Sequence, residues 1–260
     1  MTREIIHQEL TADGRIEVWQ EDDRRSLWFD DVILQSEIHV HDPAVLPNPA
    51  NRAMLAHLMF GREPGRVLLA GGGGGAIGRW FHARSPEARG DAVELDPSVV
   101  RVARKYFDFP PKGSHWRLHQ GDVREFLGGT RRRYDFILVD LEEAQYSPRW
   151  LTEPQFLHDC RRHLSDHGVL TLNLIPDGPN HYAQSLENIR RVFERRTLCL
   201  PVPGHDNQLV LAFRDPLELD APALTQMDAR IRAAGTRWGI NFAPYWDAIR
   251  AGNPPGSGML

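Results

Sequence analysis

From Gly65 onward, short apolar runs of strand length alternate with segments that have helical periodicity. The predicted strands are residues 66–70, 91–95, 115–120, 134–140, 168–174, 197–202 and 207–213. The predicted helices between them lie at about residues 76–84, 97–107, 122–128, 152–164 and 181–194. Repeated strand–helix units of this kind predict a parallel sheet that right-handed crossovers cover on both faces.

The last two predicted strands follow each other without a helix. The turn Pro203-Gly204-His205-Asp206 joins them, so we expect an antiparallel hairpin at one edge of the sheet. Seven strands with such an edge predict an α/β protein with the Rossmann-like, seven-stranded adenosylmethionine-dependent methyltransferase fold. A further helix is expected at residues 221–234.

The segment that precedes this sheet has a different pattern. Between residues 4 and 40, apolar and polar side chains alternate with a period of two, and the breaks have hairpin-turn chemistry. A proline-rich connector then leads into a helix expected at about residues 52–60. The predicted units are an N-terminal antiparallel β subdomain (1–48), a Rossmann-like catalytic domain (49–250) and a flexible tail (251–260).

Composition excludes several classes of protein. The 260 residues are 41% hydrophobic, which is enough for a sizeable core. The formal charge of -4 gives no general attraction for nucleic acid or anionic lipid. No window approaches the roughly 18 apolar residues of a membrane span, and the two cysteines have no partners at metal-ligand spacing. We therefore expect a cytoplasmic protein without a metal, a nucleic-acid partner or a membrane partner.

Residues with binding chemistry follow the first four predicted strands of the sheet. Glu94 follows the second strand, Asp122 the third and Asp140 the fourth. Five glycines follow the first strand: Gly71, Gly72, Gly73, Gly74 and Gly75. Bare backbone there lets a ligand approach N–H groups at a helix start, and an acid about 20 residues further on is typical of ribose binding. Because ligands of open α/β sheets lie beyond the carboxyl ends of the strands, these groups are expected to share one crevice.

Each of these acids also has a purely structural interpretation. Glu94 and Asp140 could be solvated residues at strand ends, and Asp122 could be the N-cap of the following helix. The combination favours an adenosine with a short sulfonium tail over a dinucleotide, because a Gly-Asp pair after the third strand has no role in dinucleotide sites.

Five motifs occur in order along the chain: VLLAGGGGGAIGRW, DAVELDPSVVRVARKYF, LHQGDVREFL, YDFILVDLEEA and LTEPQFLHDCRRHLSDHGVLTLNL. They resemble the successive motifs of the spermidine synthase (polyamine aminopropyltransferase) family, and the resemblance covers about residues 15–215. It implies transfer of an alkyl group, aminopropyl or related, from a sulfonium of the adenosylmethionine type to a small-molecule amine or other nucleophilic acceptor. It also implies a homodimer that forms through the N-terminal β unit.

The same resemblance implies roles for residues of the nucleoside site. Glu94 would bind the ribose hydroxyls and Asp122 the adenine amino group. Asp140 matches the catalytic acid beside the attacking amine. Gln35 matches a glutamine that lies over the sulfonium tail, provided that the alignment slips by one residue.

The acceptor site departs from the family's pattern. Glu143 stands where the family has an acid three residues after the catalytic one, but the proline that follows that acid is absent. Tyr146 and Trp150 lie in the segment that covers the family's active site. The family's Tyr-His/Gln-Glu cluster before its helix appears here as Asn51-Arg52-Ala53.

Gly74 is the departure that bears on the alkyl donor. The family has an aspartate there, which pairs with the ammonium of decarboxylated S-adenosylmethionine and would repel the carboxylate of ordinary S-adenosylmethionine. Two like charges 4 Å apart repel by about 4 kcal/mol at an effective dielectric constant of about 20. We interpret the glycine as a lost charge and not as a gap that packing requires. Three functions therefore stay open: a spermidine-synthase-like transferase, an adenosylmethionine-dependent methyltransferase and a non-catalytic nucleoside-binding homologue.

Overall fold

The computed structural model of the chain describes residues 3–11, 14–143, 146–217 and 225–253, and these residues contain two sheets. A four-stranded sheet comes first in the chain and a seven-stranded sheet follows it. Within the described residues, no helix combines the length and the apolar character that crossing a membrane requires.

The small sheet is antiparallel, with its strands adjacent in chain order. They are β1 (Arg3–Thr11), β2 (Gly14–Glu21), β3 (Arg24–Phe29) and β4 (Ile33–His39). Ile16, Val18 and Leu27 are completely buried, because the sheet packs one face on the protein core. The predicted N-terminal β unit is confirmed.

The large sheet has the order β10-β11-β9-β8-β5-β6-β7. Its strands are β5 (Arg66–Ala70), β6 (Arg89–Glu94), β7 (Trp116–Gln120), β8 (Tyr134–Val139), β9 (Leu164–Leu174), β10 (Thr197–Pro201) and β11 (Gln208–Phe213). Strands β5 to β9 are parallel, whereas β11 is antiparallel to both of its neighbours. The predicted methyltransferase-type sheet and its antiparallel edge are therefore confirmed.

The helices connect these strands. They are α1 (Pro49–Met54), α2 (Ala76–Arg84), α3 (Pro97–Tyr106), α4 (Val123–Gly129), α5 (Pro154–His163), α6 (Gly178–Val192), α7 (Met227–Trp238) and α8 (Ala243–Gly252). Helices α1, α3 and α5 each begin at a proline, a residue whose fixed φ suits the first helical position.

Two predicted helices differ in detail from the structure, and one helix was not expected. The helix expected at residues 52–60 is α1 followed by a 3₁₀ helix over Ala56–Phe60. Helix α7 runs beyond the expected end at residue 234, while residues 221–224 lie outside the described residues. Helix α8 was not expected; it packs against β10.

The structure describes residues 251–253 of the segment that was expected to form a flexible tail from residue 251. Helix α8 runs to Gly252, and the buried Asn253 side chain binds the backbone N–H and carbonyl of Cys199 at 2.9 and 2.7 Å. Residues 254–260 lie outside the described residues. The other domain boundaries remain predictions.

Core residues lie on both faces of the large sheet. Along β5, Val67 and Leu69 belong to one apolar cluster, and Leu68 and Ala70 belong to the other. Strand β5 lies between β6 and β8, so the strand order reverses at this point. In open α/β sheets the carboxyl ends of strands at such a reversal form the binding crevice.

Candidate active site

The glycine turn follows β5 at this crevice. Gly71 and Gly75 have φ angles of +89° and +79°, which L side chains rarely adopt. A Cβ at Gly71 would lie 1.9 Å from the carbonyl oxygen of Asp140, and a Cβ at Gly75 would lie 2.1 Å from the Phe109 ring. The protein's own packing therefore requires glycine at these two positions.

Packing excludes a side chain at Gly74 as well. A Cβ there would lie 2.7 Å from Ser36 Oγ and 2.9 Å from Phe107 Cδ1. Both neighbours are buried, with exposures of 4% for Ser36 and 0% for Phe107. The interpretation of Gly74 as a lost charge without a packing requirement is thus wrong: Ser36 and Phe107 occupy the space that the first atoms of an aspartate side chain would need.

Gln35 lies in a β-bulge next to the glycine turn. In the β3–β4 pair, Leu27 is opposite Ser36 and Trp28 is opposite Leu34, so Gln35 is the extra residue. Its carbonyl oxygen would lie 3.6 Å from a Cβ at Gly73. The role of Gln35 over a sulfonium tail remains a prediction.

Glu94 is the last residue of β6. It lies beside Gly73, where the glycine turn has space next to the backbone. Its carboxylate accepts hydrogen bonds from the backbone N–H groups of Gly73 at 3.0 Å and Asp96 at 3.1 Å. Burial raises the pKa of Glu94, and these two hydrogen bonds oppose that effect. A Cβ at Gly72 would approach no atom closer than 3.4 Å. Glu94 thus lies against the glycine turn, and ribose binding by its carboxylate remains a prediction.

Asp122 has the structural role that the sequence left open. It is the N-cap of α4 and accepts a 2.7 Å hydrogen bond from the backbone N–H of Arg124. The Arg124 guanidinium also binds both carboxylate oxygens, and this contact lowers the pKa of Asp122. The same guanidinium lies 4.3 Å from the centre of the Trp150 ring. To bind adenine, the Asp122 carboxylate would therefore have to accept a hydrogen bond in addition to those from Arg124.

Asp140 lies next to the glycine turn, directly after β8. Its backbone N–H donates to Ala70 at 2.8 Å, and its carboxylate accepts a 2.8 Å hydrogen bond from the Asn173 amide. Asn173 is itself held by Asn207 at 3.0 Å. Burial raises the pKa of Asp140, and the hydrogen bond from Asn173 opposes the rise. The sequence prediction missed Asn173, although it is a polar residue near the carboxyl end of an apolar strand.

Glu142 is a second acid that sequence reasoning missed. The residue as a whole is exposed, but burial around its carboxyl group and the negative charge of Asp140 raise the pKa of Glu142 to about 7. Glu142 stands two residues after Asp140 and therefore lies within the range of its charge. Such a pair suits a cationic amine, which would compensate both charges.

The predicted acceptor residues Glu143, Tyr146 and Trp150 lie in the segment that follows Asp140. The backbone groups of Glu143 and Tyr146 bind each other at 2.8 and 3.3 Å, and the residues between them are outside the described part of the chain. Tyr146 is 45% exposed. Trp150 packs edge-on against Phe156 with 5.0 Å between ring centres. Tyr146 is thus the more accessible aromatic residue, and acceptor binding by these three residues remains a prediction.

Comparison with known proteins identifies the family. The model of the spermine/spermidine synthase domain matches residues 49–202. The polyamine aminopropyltransferase of Chromobacterium violaceum is 31% identical over 261 residues, which cover 99% of this chain and 98% of that protein. The chain belongs to the spermine/spermidine synthase family. Accordingly, it is a transferase of the polyamine aminopropyltransferase type.

Solved structures agree with this family membership. A probable spermidine synthase from Corynebacterium glutamicum superposes with a TM-score of 0.75 over 88% of this chain and 87% of that chain. Its 19% identity makes this a likeness of fold. Human methyltransferase-like protein 13, solved with SAH, has a TM-score of 0.64 and 25% identity over 72% of this chain and 92% of that chain. The family scaffold is thus similar to that of a methyltransferase.

Proposed function

We propose that this chain transfers an aminopropyl group from decarboxylated S-adenosylmethionine to an amine. The observation that supports this reaction best is the place of Asp140, which follows β8 at the strand-order reversal, accepts a hydrogen bond from Asn173 and precedes the acid Glu142 by two residues. Asp140 is fixed by Asn173, and the elevated pKa of its carboxyl makes it a stronger base than an ordinary aspartate.

In this reaction the amine lone pair attacks the methylene carbon bonded to the sulfonium sulfur. A C–N bond forms while the C–S bond breaks, and its electron pair stays on sulfur in a neutral thioether. The Asp140 carboxylate accepts the proton that the amine loses. Glu142 attracts the cationic acceptor, and the buried crevice aligns the reactants and limits water.

The charges near the crevice favour a donor without a carboxylate. Asp140 and Glu142 would both repel the carboxylate of ordinary S-adenosylmethionine. Arg124 is bound to Asp122, and the Arg52 guanidinium donates to the carbonyl oxygens of Leu46 and Pro47 in the connector. Both arginines are therefore engaged with protein groups.

Gly74 supports a second candidate, a methyltransferase that uses ordinary S-adenosylmethionine. The aspartate that pairs with the donor's ammonium in the resembling family is absent here, so one element of selection for the decarboxylated donor is missing. The same substitution removes a source of repulsion for the carboxylate of the ordinary donor.

Calorimetry with S-adenosylmethionine, its decarboxylated form and methylthioadenosine separates these candidates. We expect the decarboxylated donor to bind more tightly than the ordinary donor. With a linear aliphatic diamine, mass spectrometry should then detect an added aminopropyl group. Preference for the ordinary donor together with a methylated acceptor would refute the proposal in favour of the methyltransferase. Binding without turnover of either donor on a panel of amines would instead indicate the non-catalytic homologue.

A further inference from the structure

A concave pocket of about 370 Å³ opens at the end of the large sheet opposite to the proposed active site. Four guanidinium groups line it, together with Ser114 and His115; they belong to Arg66, Arg89, Arg117 and Arg132. These arginines lie at or just before the amino ends of β5, β6, β7 and β8, whereas the proposed active site lies at the carboxyl ends. A five-residue strand such as β5 separates the two ends by about 16 Å.

The positive charge of this arginine pocket is largely uncompensated. Asp91 is the carboxylate that lines it, and its oxygens already accept from Arg132 at 2.8 Å, His119 at 2.8 Å and Tyr134 at 3.1 Å. The other three guanidiniums have neither a carboxylate within 4.0 Å nor a hydrogen-bond partner among the described residues. The pocket therefore offers several unused donors.

The sheet register brings these charges together. Arg66 lies directly beside Arg89 in the parallel β5–β6 pair. Like charges at adjacent positions of two paired strands repel each other, and a concave surface concentrates the field of the charges that line it. A bound anion would relieve this repulsion.

We propose that the arginine pocket binds a compact anion that carries several phosphoryl groups. A guanidinium presents a planar fork of donors that matches two phosphate oxygens. Three such forks without a partner in the described part of the chain line the pocket, and its volume of about 370 Å³ has room for more than one phosphoryl group. The volume falls within the range of small-molecule sites. Trp116 in the pocket wall is only 5% exposed, so it provides no stacking platform for the bases of a single-stranded nucleic acid. These features favour an oligophosphate over a nucleic acid.

Titration of the full chain with inorganic tripolyphosphate at about 150 mM salt, the physiological ionic strength, tests this assignment. We expect saturable binding that Arg89→Gln/Arg117→Gln weakens at least tenfold. The control is Arg230→Gln/Arg232→Gln, which makes the same change of charge on exposed residues of α7. It should bind tripolyphosphate like the unaltered chain. Unchanged thermal unfolding of both variants establishes that the loss is local.

Three results would overturn the proposal. Equal weakening in both double variants would mean that net charge, and not the pocket, attracts the anion. Orthophosphate that binds as tightly as tripolyphosphate would exclude recognition of several phosphoryl groups. An oligonucleotide that binds at this salt concentration when tripolyphosphate does not would assign the arginines to nucleic acid.

Discussion

Gly74→Asp restores the aspartate of the resembling family, and we expect this substitution alone to destabilise the fold. The added Cβ would lie 2.7 Å from Ser36 Oγ and 2.9 Å from both Ser36 Cβ and Phe107 Cδ1. Overpacking of a closed site typically costs about 1–3 kcal/mol. For a chain of this size, each kcal/mol lowers Tm by roughly 2–4 °C, so we expect a decrease of about 2–12 °C.

Two further variants separate shape from charge. Gly74→Ala introduces the same Cβ without a carboxylate and should show most of the steric cost. Ser36→Gly removes two of the three close atoms, so Ser36→Gly/Gly74→Asp should be more stable than the sum of the single effects predicts, by about 1 kcal/mol. Phe107 remains in place and keeps part of the strain.

The assay combines thermal unfolding with calorimetry of both donors. In the double variant, the new carboxylate should attract the ammonium of decarboxylated S-adenosylmethionine by up to about 4 kcal/mol at 4 Å and an effective dielectric constant of about 20. Its preference over the ordinary donor should therefore increase. A Gly74→Asp protein with unchanged Tm, or a double variant without recovery relative to additivity, would refute the packing explanation.

Four substitutions test the two acids and the asparagines that support Asp140. Asp140→Asn should lower kcat by about 10²–10⁴-fold, the usual contribution of a general base, and leave methylthioadenosine affinity nearly unchanged; undiminished turnover would remove Asp140 from the mechanism. Asn173→Ala removes the hydrogen bond that favours ionised Asp140, so the pKa of Asp140 should rise and the pH–rate profile should move to higher pH. Asn207→Ala is the control, because Asn207 binds Asn173 and not Asp140, and it should shift the pH–rate profile less. Equal profiles in the unaltered chain and both variants would contradict a role of Asn173 in setting the pKa of Asp140. Glu142 is neutral below its pKa of about 7 and charged above it, so amine affinity measured with methylthioadenosine present should increase from pH 6 to pH 8. Glu142→Gln should abolish that increase, and an increase that persists would exclude Glu142.

Sequence periodicity was sufficient for the large sheet because each central strand is buried on both faces. The expected strand at residues 66–70 matches β5, and its side chains alternate between the two apolar clusters. Position alone then assigned Glu94 and Asp140 to the carboxyl ends of β6 and β8, the two strands that flank β5. Helix α8 escaped prediction because its burial against β10 is a long-range contact that local periodicity does not reveal.

The partners of the site residues could not be predicted in the same way. Asn173 meets Asp140 because β9 pairs with β8 in a register that sets Leu172 opposite Val139. The chain between these strands contains a helix and a loop, so their register is not visible in either segment. A polar residue close to the carboxyl end of a predicted strand was the available signal, and it applies equally to residues without a site role.

The glycine run shows why a motif and its ligand must be considered separately. Gly71 and Gly75 meet other parts of this chain, namely the Asp140 carbonyl and the Phe109 ring, at distances that exclude a side chain. Gly72 and Gly73 have ordinary space beside them, and Gly73 donates its N–H to Glu94. Packing therefore requires glycine at both ends of the turn, whereas the middle of the turn has space beside its backbone for the proposed nucleoside. At Gly74, Ser36 and Phe107 occupy the space that the Cβ of the family's aspartate would need, so packing and donor charge are linked at this one position.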